Sequence, residues 1–212
     1  MPVIMSEGVE VPRLIILRGS PAVGKSTIAS KVASLNSAKK KTHIAVDNFQ
    51  LYDLRPMSKD REKLAIRNAA LLAKNFLLEG FDVVVDYVFD EPADQEIFLN
   101  FIFGDQLGKL DTIYVQQFYL DAPVEKIVKR NQSRSGKRGE YMNVPLLRKL
   151  YAKTSETKGS IEHEVIIDTT KYSAKQCAKV ILSNREAYKN DQVFETVLLP
   201  EKDLARALEE DE

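Results

Sequence analysis

Gly19-Ser20-Pro21-Ala22-Val23-Gly24-Lys25-Ser26 matches the pattern G-x-x-x-x-G-K-[ST] at every fixed position, and Thr27 follows it. These residue types suit the binding of a phosphate chain. Two glycines let the backbone bend so that successive N–H groups point into one concavity. A helix starting at Lys25 would add the positive end of its dipole. Lys25 can reach the β- and γ-phosphates, and the Ser26 hydroxyl can bind Mg²⁺. The candidate nucleotide contacts are therefore Gly19, Ala22, Val23, Gly24, Lys25, Ser26 and Thr27.

Two aspartates stand in comparable places further on. Asp47 closes the short apolar run His43-Ile44-Ala45-Val46, and Asp86 closes Val83-Val84-Val85. A carboxylate at the position of Asp47 can accept the proton of an attacking hydroxyl, or it can simply cap the loop Asn48-Phe49-Gln50. Asp86 can hold Mg²⁺, directly or through water, or orient an acceptor-site residue. The alternatives are that Asp90 takes that role or that no metal role falls here at all. A third signal is cationic: Lys129, Arg130, Arg134, Lys137 and Arg138 fall within ten residues. Phosphoryl transfer spreads charge over the equatorial oxygens, and an arginine supplied in cis neutralises it. Arg130 and Arg134 are four apart and share one helical face. Gly136 and Gly139 suit a hinged lid, about 131–142, although a solvated basic loop has the same composition.

Such residues need a scaffold that brings strand ends to one edge. Leu14-Ile15-Ile16-Leu17, His43 to Val46, Phe81 to Val85, Thr112 to Leu120 and Glu164 to Ile167 read as five strands. Helices are expected from Lys25, over Lys59 to Glu79 with Ser58 as N-cap and Gly80 as C′, and over Pro92 to Phe103. Others are expected from Pro123 with Asp121 as N-cap, over Val144 to Lys153, and from Ser173 to about Lys189. Alternation of this kind predicts an α/β fold of the P-loop NTPase class: a five-stranded parallel sheet with helices on both faces, of nucleoside-kinase-like architecture. Ligands of such sheets bind beyond the carboxyl ends of the strands, where the glycine loop, Asp47 and Asp86 all fall. The domain expected is 13–190, with an extension at 1–12 and an acidic tail at 191–212.

Composition bounds the reading. The chain has 212 residues, 44% hydrophobic and 29% charged, with 31 basic and 31 acidic side chains. A net charge of zero argues against binding nucleic acid through overall charge. No run of 18 apolar residues occurs, no segment reads as a signal peptide, and the single Cys177 excludes an internal disulfide; the cytoplasm is the expected compartment. Cys177 lies with Ala174, Ala178 and Ile181 on one helical face, as a buried thiol. His43 and His163 lack metal-ligand spacing and read as structural or surface residues. Lys39-Lys40-Lys41 reads as a solvated turn.

Taken together, Leu14 to Val32, Ala45-Val46-Asp47, Val83 to Asp86 and the run from Lys129 resemble the small P-loop kinases of the polynucleotide-kinase-like and zeta-toxin/chloramphenicol-phosphotransferase-like group. The resemblance covers about Leu14 to Val180. It is closest where Lys129-Arg130-Asn131-Gln132-Ser133-Arg134 precedes Val144-Pro145-Leu146-Leu147-Arg148. It implies an ATP-dependent kinase using Mg²⁺, with Asp47 as general base, Arg134 as transition-state arginine, Arg130 at the nucleotide, and Asp86 beside the metal or acceptor. Gln50 stands where the polynucleotide kinases place a basic residue. Arg55, Lys59, Arg61 and Arg67 are too few for a long phosphate track. A hydroxyl of a small molecule or nucleotide is therefore the favoured acceptor. A polynucleotide 5′-hydroxyl and a non-catalytic, regulatory ATP-binding module are the alternatives.

Overall fold

The computed structural model of the chain describes residues 11–49, 58–104, 113–134, 142–184, 188–189 and 192–193. Five strands run parallel: β1 (Arg13–Arg18), β2 (Lys41–Ala45), β3 (Asp82–Asp86), β4 (Tyr114–Asp121) and β5 (Val165–Asp168). Their order across the sheet is β2-β3-β1-β4, with β5 pairing on the outer side of β4. Register aligns Leu17 with Asp86 and with Phe118, and Ala45 with Asp86, so these carboxyl ends are level.

Every residue of β1 and β3 is buried, as a strand covered on both faces requires. Strand alternation divides β1 between two cores. Leu14 and Ile16 pack with helices α2 (Lys59–Leu78) and α3 (Pro92–Phe103). Ile15 and Leu17 face the opposite core, with α1 (Lys25–Leu35), α4 (Val124–Arg134), α5 (Val144–Glu156) and α6 (Ala174–Ser183). The fold is the expected P-loop α/β fold.

Local signals explain most boundaries. The Ser58 side chain accepts a hydrogen bond from the Arg61 N–H and caps α2. At its far end Phe81 N–H donates to the Phe76 carbonyl at 3.0 Å, and Gly80 N–H donates to Leu77 at 2.9 Å. This is a Schellman closure, and the Phe76 and Phe81 rings meet at 5.1 Å to seal it. Ser173 and Gln176 form a capping box at the start of α6. Cys177 is fully buried there, and burial pushes its thiol up to about 11, which leaves it inert.

Three expectations need correction. Asp121 does not cap α4: it ends β4 and accepts from Lys158 Nζ at 2.5 Å, while the Pro123 carbonyl receives the first helical N–H. Strand β2 begins at Lys41 and ends at Ala45, so Lys41 is a strand residue and Val46 opens a 3-10 turn, Val46–Phe49. Helix α6 stops at Ser183, short of residue 189. Beyond it, β6 (Tyr188–Lys189) pairs antiparallel with β4 at Val115, and β7 (Gln192–Val193) pairs with β6. The reason is geometric: β5 covers only the carboxyl half of β4 and leaves the other half as an open edge.

Candidate active site at the carboxyl edge of the sheet

The glycine loop joins β1 to α1. Gly19 has φ +138°, and a Cβ there would collide with the main-chain oxygen of Leu120 on the neighbouring strand. Gly24 has φ +115° and forms the N-cap of α1, and Ala22 between them also has a positive φ of 63°. This backbone turns its N–H groups inward at the start of an eleven-residue helix, the local structure that binds anions. Lys25 is buried, and its ammonium donates to the carbonyls of Gly19 at 3.1 Å and Ser20 at 3.0 Å. Arg18, immediately before the loop, is locked by Glu164 Oε2 at 2.7 Å and the Thr157 carbonyl at 2.6 Å. It also lies 4.9 Å from the centre of the Tyr119 ring.

Asp86 comes from the end of β3 and is almost fully buried. Its Oδ2 accepts from the Ser26 hydroxyl at 2.7 Å, and its Oδ1 lies 2.5 Å from His43 Nε2. The structure thus brings together the two residues singled out for Mg²⁺. It adds His43, expected as a structural or surface residue, at the same carboxylate. The missed signal was its place on β2: His43 pairs with Val84 in register, two residues before Asp86, and so its side chain reaches across to that carboxylate.

Arg130 reaches the loop from α4. Its Nη1 donates to the Val23 carbonyl at 2.9 Å and to Thr169 Oγ1 at 2.8 Å, and its Nη2 donates to the Thr169 carbonyl at 2.8 Å. It braces the phosphate loop against the residue following β5. Asn131, next in sequence, is buried and donates to the Met142 carbonyl at 2.7 Å, which ties α4 to the residue two before α5. The Arg134 side chain, residues 135–141 of the lid expected at about 131–142, with Arg138, and Gln50 and Arg55 lie outside the described residues.

Asp47 is exposed in the 3-10 turn, which packs against α2. Its charge is felt at Tyr87, whose hydroxyl is pushed up by burial and then by the neighbouring Glu62 and Asp47 carboxylates. Tyr87 Oη donates to Glu62 Oε1 at 3.1 Å. Beyond it lies a cluster of Glu62, Asp90, Glu91 and Asp94 with Lys59 and Lys153. Contacts from Lys153 and Lys59 hold Glu91 down to about 2. Burial, with the charges of Glu62, Glu91 and Asp90, pushes Asp94 up to about 6 against the opposing pull of Lys59. Of the other cations expected near the acceptor, Arg67 points away, toward the Phe101 ring of α3 at 5.9 Å.

Solved structures share this fold. A sugar kinase from Janibacter sp. HTCC2649 superposes with a TM-score of 0.60 at 18% identity, over 81% of this chain and 93% of that one. A gluconokinase from Sinorhizobium meliloti 1021 gives 0.59 at 15% identity, over 82% and 93%. A chain of the Pnkp1/Rnl/Hen1 RNA repair complex gives 0.57 at 21% identity; 74% of this chain is covered, spanning about half, 49%, of that longer one. No protein-family model and no curated protein sequence matches the chain. At these identities the likeness is one of fold. No helix among the described residues is long and apolar enough to cross a membrane.

Proposed function

We propose that this chain is an ATP-dependent kinase that transfers the γ-phosphate to a hydroxyl of a small molecule or nucleotide. The observation that supports the reading is the convergence of Lys25, Ser26 and Asp86 around a loop shaped for phosphate, with Asp47 in the turn that follows β2 at the same edge of the sheet. The Ser26 hydroxyl and the Asp86 carboxylate are oxygen donors of the kind Mg²⁺ prefers, so the residues fit that ion. Bound there, Mg²⁺ would neutralise charge on the phosphates.

The chain's own residues have distinct tasks. The loop N–H groups and Lys25 bind and orient the phosphates. His43 fixes the Asp86 carboxylate from the side opposite Ser26. The Asp47 carboxylate takes the proton of the acceptor hydroxyl. As it does so, a bond forms from that oxygen to the γ-phosphorus, the bond to the β,γ-bridging oxygen breaks, and ADP leaves. Arg134, on the last turn of α4, is the candidate for neutralising charge on the moving group. Four carboxylates against two ammoniums beside Tyr87 speak against a long polyanionic acceptor.

The test is a transfer screen with ATP labelled in the γ position, against small alcohols, nucleosides and 5′-hydroxyl oligonucleotides. A labelled small acceptor is the expected result. Efficient labelling of oligonucleotides alone would select the polynucleotide reading. ATP hydrolysis without any labelled acceptor would favour a regulatory module.

A further inference from the structure

The carboxylates beyond Tyr87 have a feature that kinase chemistry at the loop does not use. Glu62 sits near the start of α2, Asp90 in the turn after β3, and Asp94 in the first turn of α3. One carboxylate oxygen from each lies within 4.8 Å of the other two. Asp90 is 6% exposed and Asp94 only 1%. Their neighbours satisfy them incompletely. Lys153 Nζ meets Asp90 Oδ2 at 2.7 Å and Glu91 Oε1 at 2.5 Å. Lys59 Nζ meets Glu91 at 3.0 Å and Glu62 at 3.3 Å, but stays 3.8 Å from Asp94 Oδ2, beyond hydrogen-bonding distance. Among the described residues, Asp90 Oδ1 and Asp94 Oδ2 are buried and accept no hydrogen bond. Both orphaned atoms are acceptors, and a buried carboxylate oxygen without a partner is costly. What would complete them is a positive charge.

We propose that Glu62, Asp90 and Asp94 form a divalent-cation site separate from the Ser26–Asp86 pair. Hard ions bind carboxylate oxygens at about 2.0–2.6 Å, so ligands on one ion lie up to about 5 Å apart. Three oxygens within 4.8 Å meet that limit without backbone movement. All donors are carboxylates, which selects Mg²⁺, Mn²⁺ or Ca²⁺ over softer metals. The Lys59 side chain is 48% exposed and can swing out to make room. A bound ion would tie α2, the turn after β3 and α3 together beside Asp47.

The test uses the full chain without nucleotide, titrated calorimetrically with Mn²⁺ alone and melted with and without Mn²⁺. Asp86→Asn, which weakens the loop site, should still bind one Mn²⁺ and melt a few degrees higher with it. Adding Asp94→Asn or Glu62→Gln should weaken that binding by at least about tenfold. Lys59→Met removes the competing ammonium and should tighten it several-fold. Should Asp86→Asn not fold, the wild-type chain should bind one Mn²⁺ more than Asp94→Asn. No ion bound outside the loop site, or an affinity indifferent to Asp94→Asn, Glu62→Gln and Lys59→Met, overturns the proposal. Neither result depends on phosphotransfer.

Discussion

The two edges of the sheet both carry buried charge, and they treat it differently. At the amino edge Asp82 accepts from the Arg13 N–H at 2.9 Å, from Arg13 Nε at 2.8 Å and from Asn36 Nδ2 at 2.8 Å. Arg13 Nη2 donates in turn to Asn36 Oδ1 at 2.8 Å. Each member of this network answers another. At the carboxyl edge the ammonium of Lys25 rests on loop carbonyls, Asp47 is exposed, and Asp90 and Asp94 keep orphaned oxygens. A closed network fixes β1 against β3 and the end of α1. The orphaned oxygens of Asp90 and Asp94 leave interaction capacity for something that arrives.

The comparison breaks most sharply by moving one charge at each edge. Lys25→Ala should reduce phosphate transfer to background while leaving the melting temperature within a few degrees of wild type. Transfer at near the wild-type rate in a folded variant would remove the phosphate-loop assignment. Asp82→Ala should do the reverse. It strands a buried guanidinium, a change worth about 3–5 kcal/mol of stability, measurable by urea unfolding, with turnover per folded molecule preserved.

His43→Gln lies between these extremes. It withdraws the ring from Asp86 without removing the carboxylate, and a loss of about ten- to a hundredfold in activity is expected, with apparent Mg²⁺ affinity falling in parallel. An unchanged Mg²⁺ dependence would return His43 to a packing role.

The smallest effect concerns Asp94 in the presence of chelator. Its carboxyl is pushed up to about 6 in the fold, above the unfolded value of 3.8. The folded state therefore keeps a proton that the unfolded chain releases. Stability should fall as pH rises from about 4 to about 6 and level off above. Asp94→Asn should flatten that window and gain on the order of 2 kcal/mol at pH 7 without metal. A wild-type profile that is already flat there would mean the carboxylate is better compensated than its contacts indicate.

Much of this architecture was legible in the sequence because each level agreed with the next. The apolar run before Gly19 made a fully buried strand. The Ser58 cap, the Gly80 stop and the Ser173 start were local signals that the helices obey. Contacts between distant elements were not legible. His43 became a partner of Asp86 only through parallel pairing of β2 with β3, forty-three residues apart. Asp90, by sequence an alternative to Asp86, is set by the fold with Glu62 and Asp94, from three elements whose meeting no spacing announces. The early end of α6 was hidden for a similar reason. It reflects the open half of β4, and propensity along residues 184–189 carries no trace of that edge.

The central claim is that Asp47 serves the acceptor hydroxyl while the loop holds the nucleotide. Asp47→Asn tests it most directly, with ATP affinity measured by titration and turnover measured on the acceptor the transfer screen identifies. Affinity should stay within a few-fold of wild type, and turnover should fall by about 10²–10⁴, the usual contribution of a general base. Turnover within a few-fold of wild type, or a parallel loss of ATP binding and turnover, would contradict it.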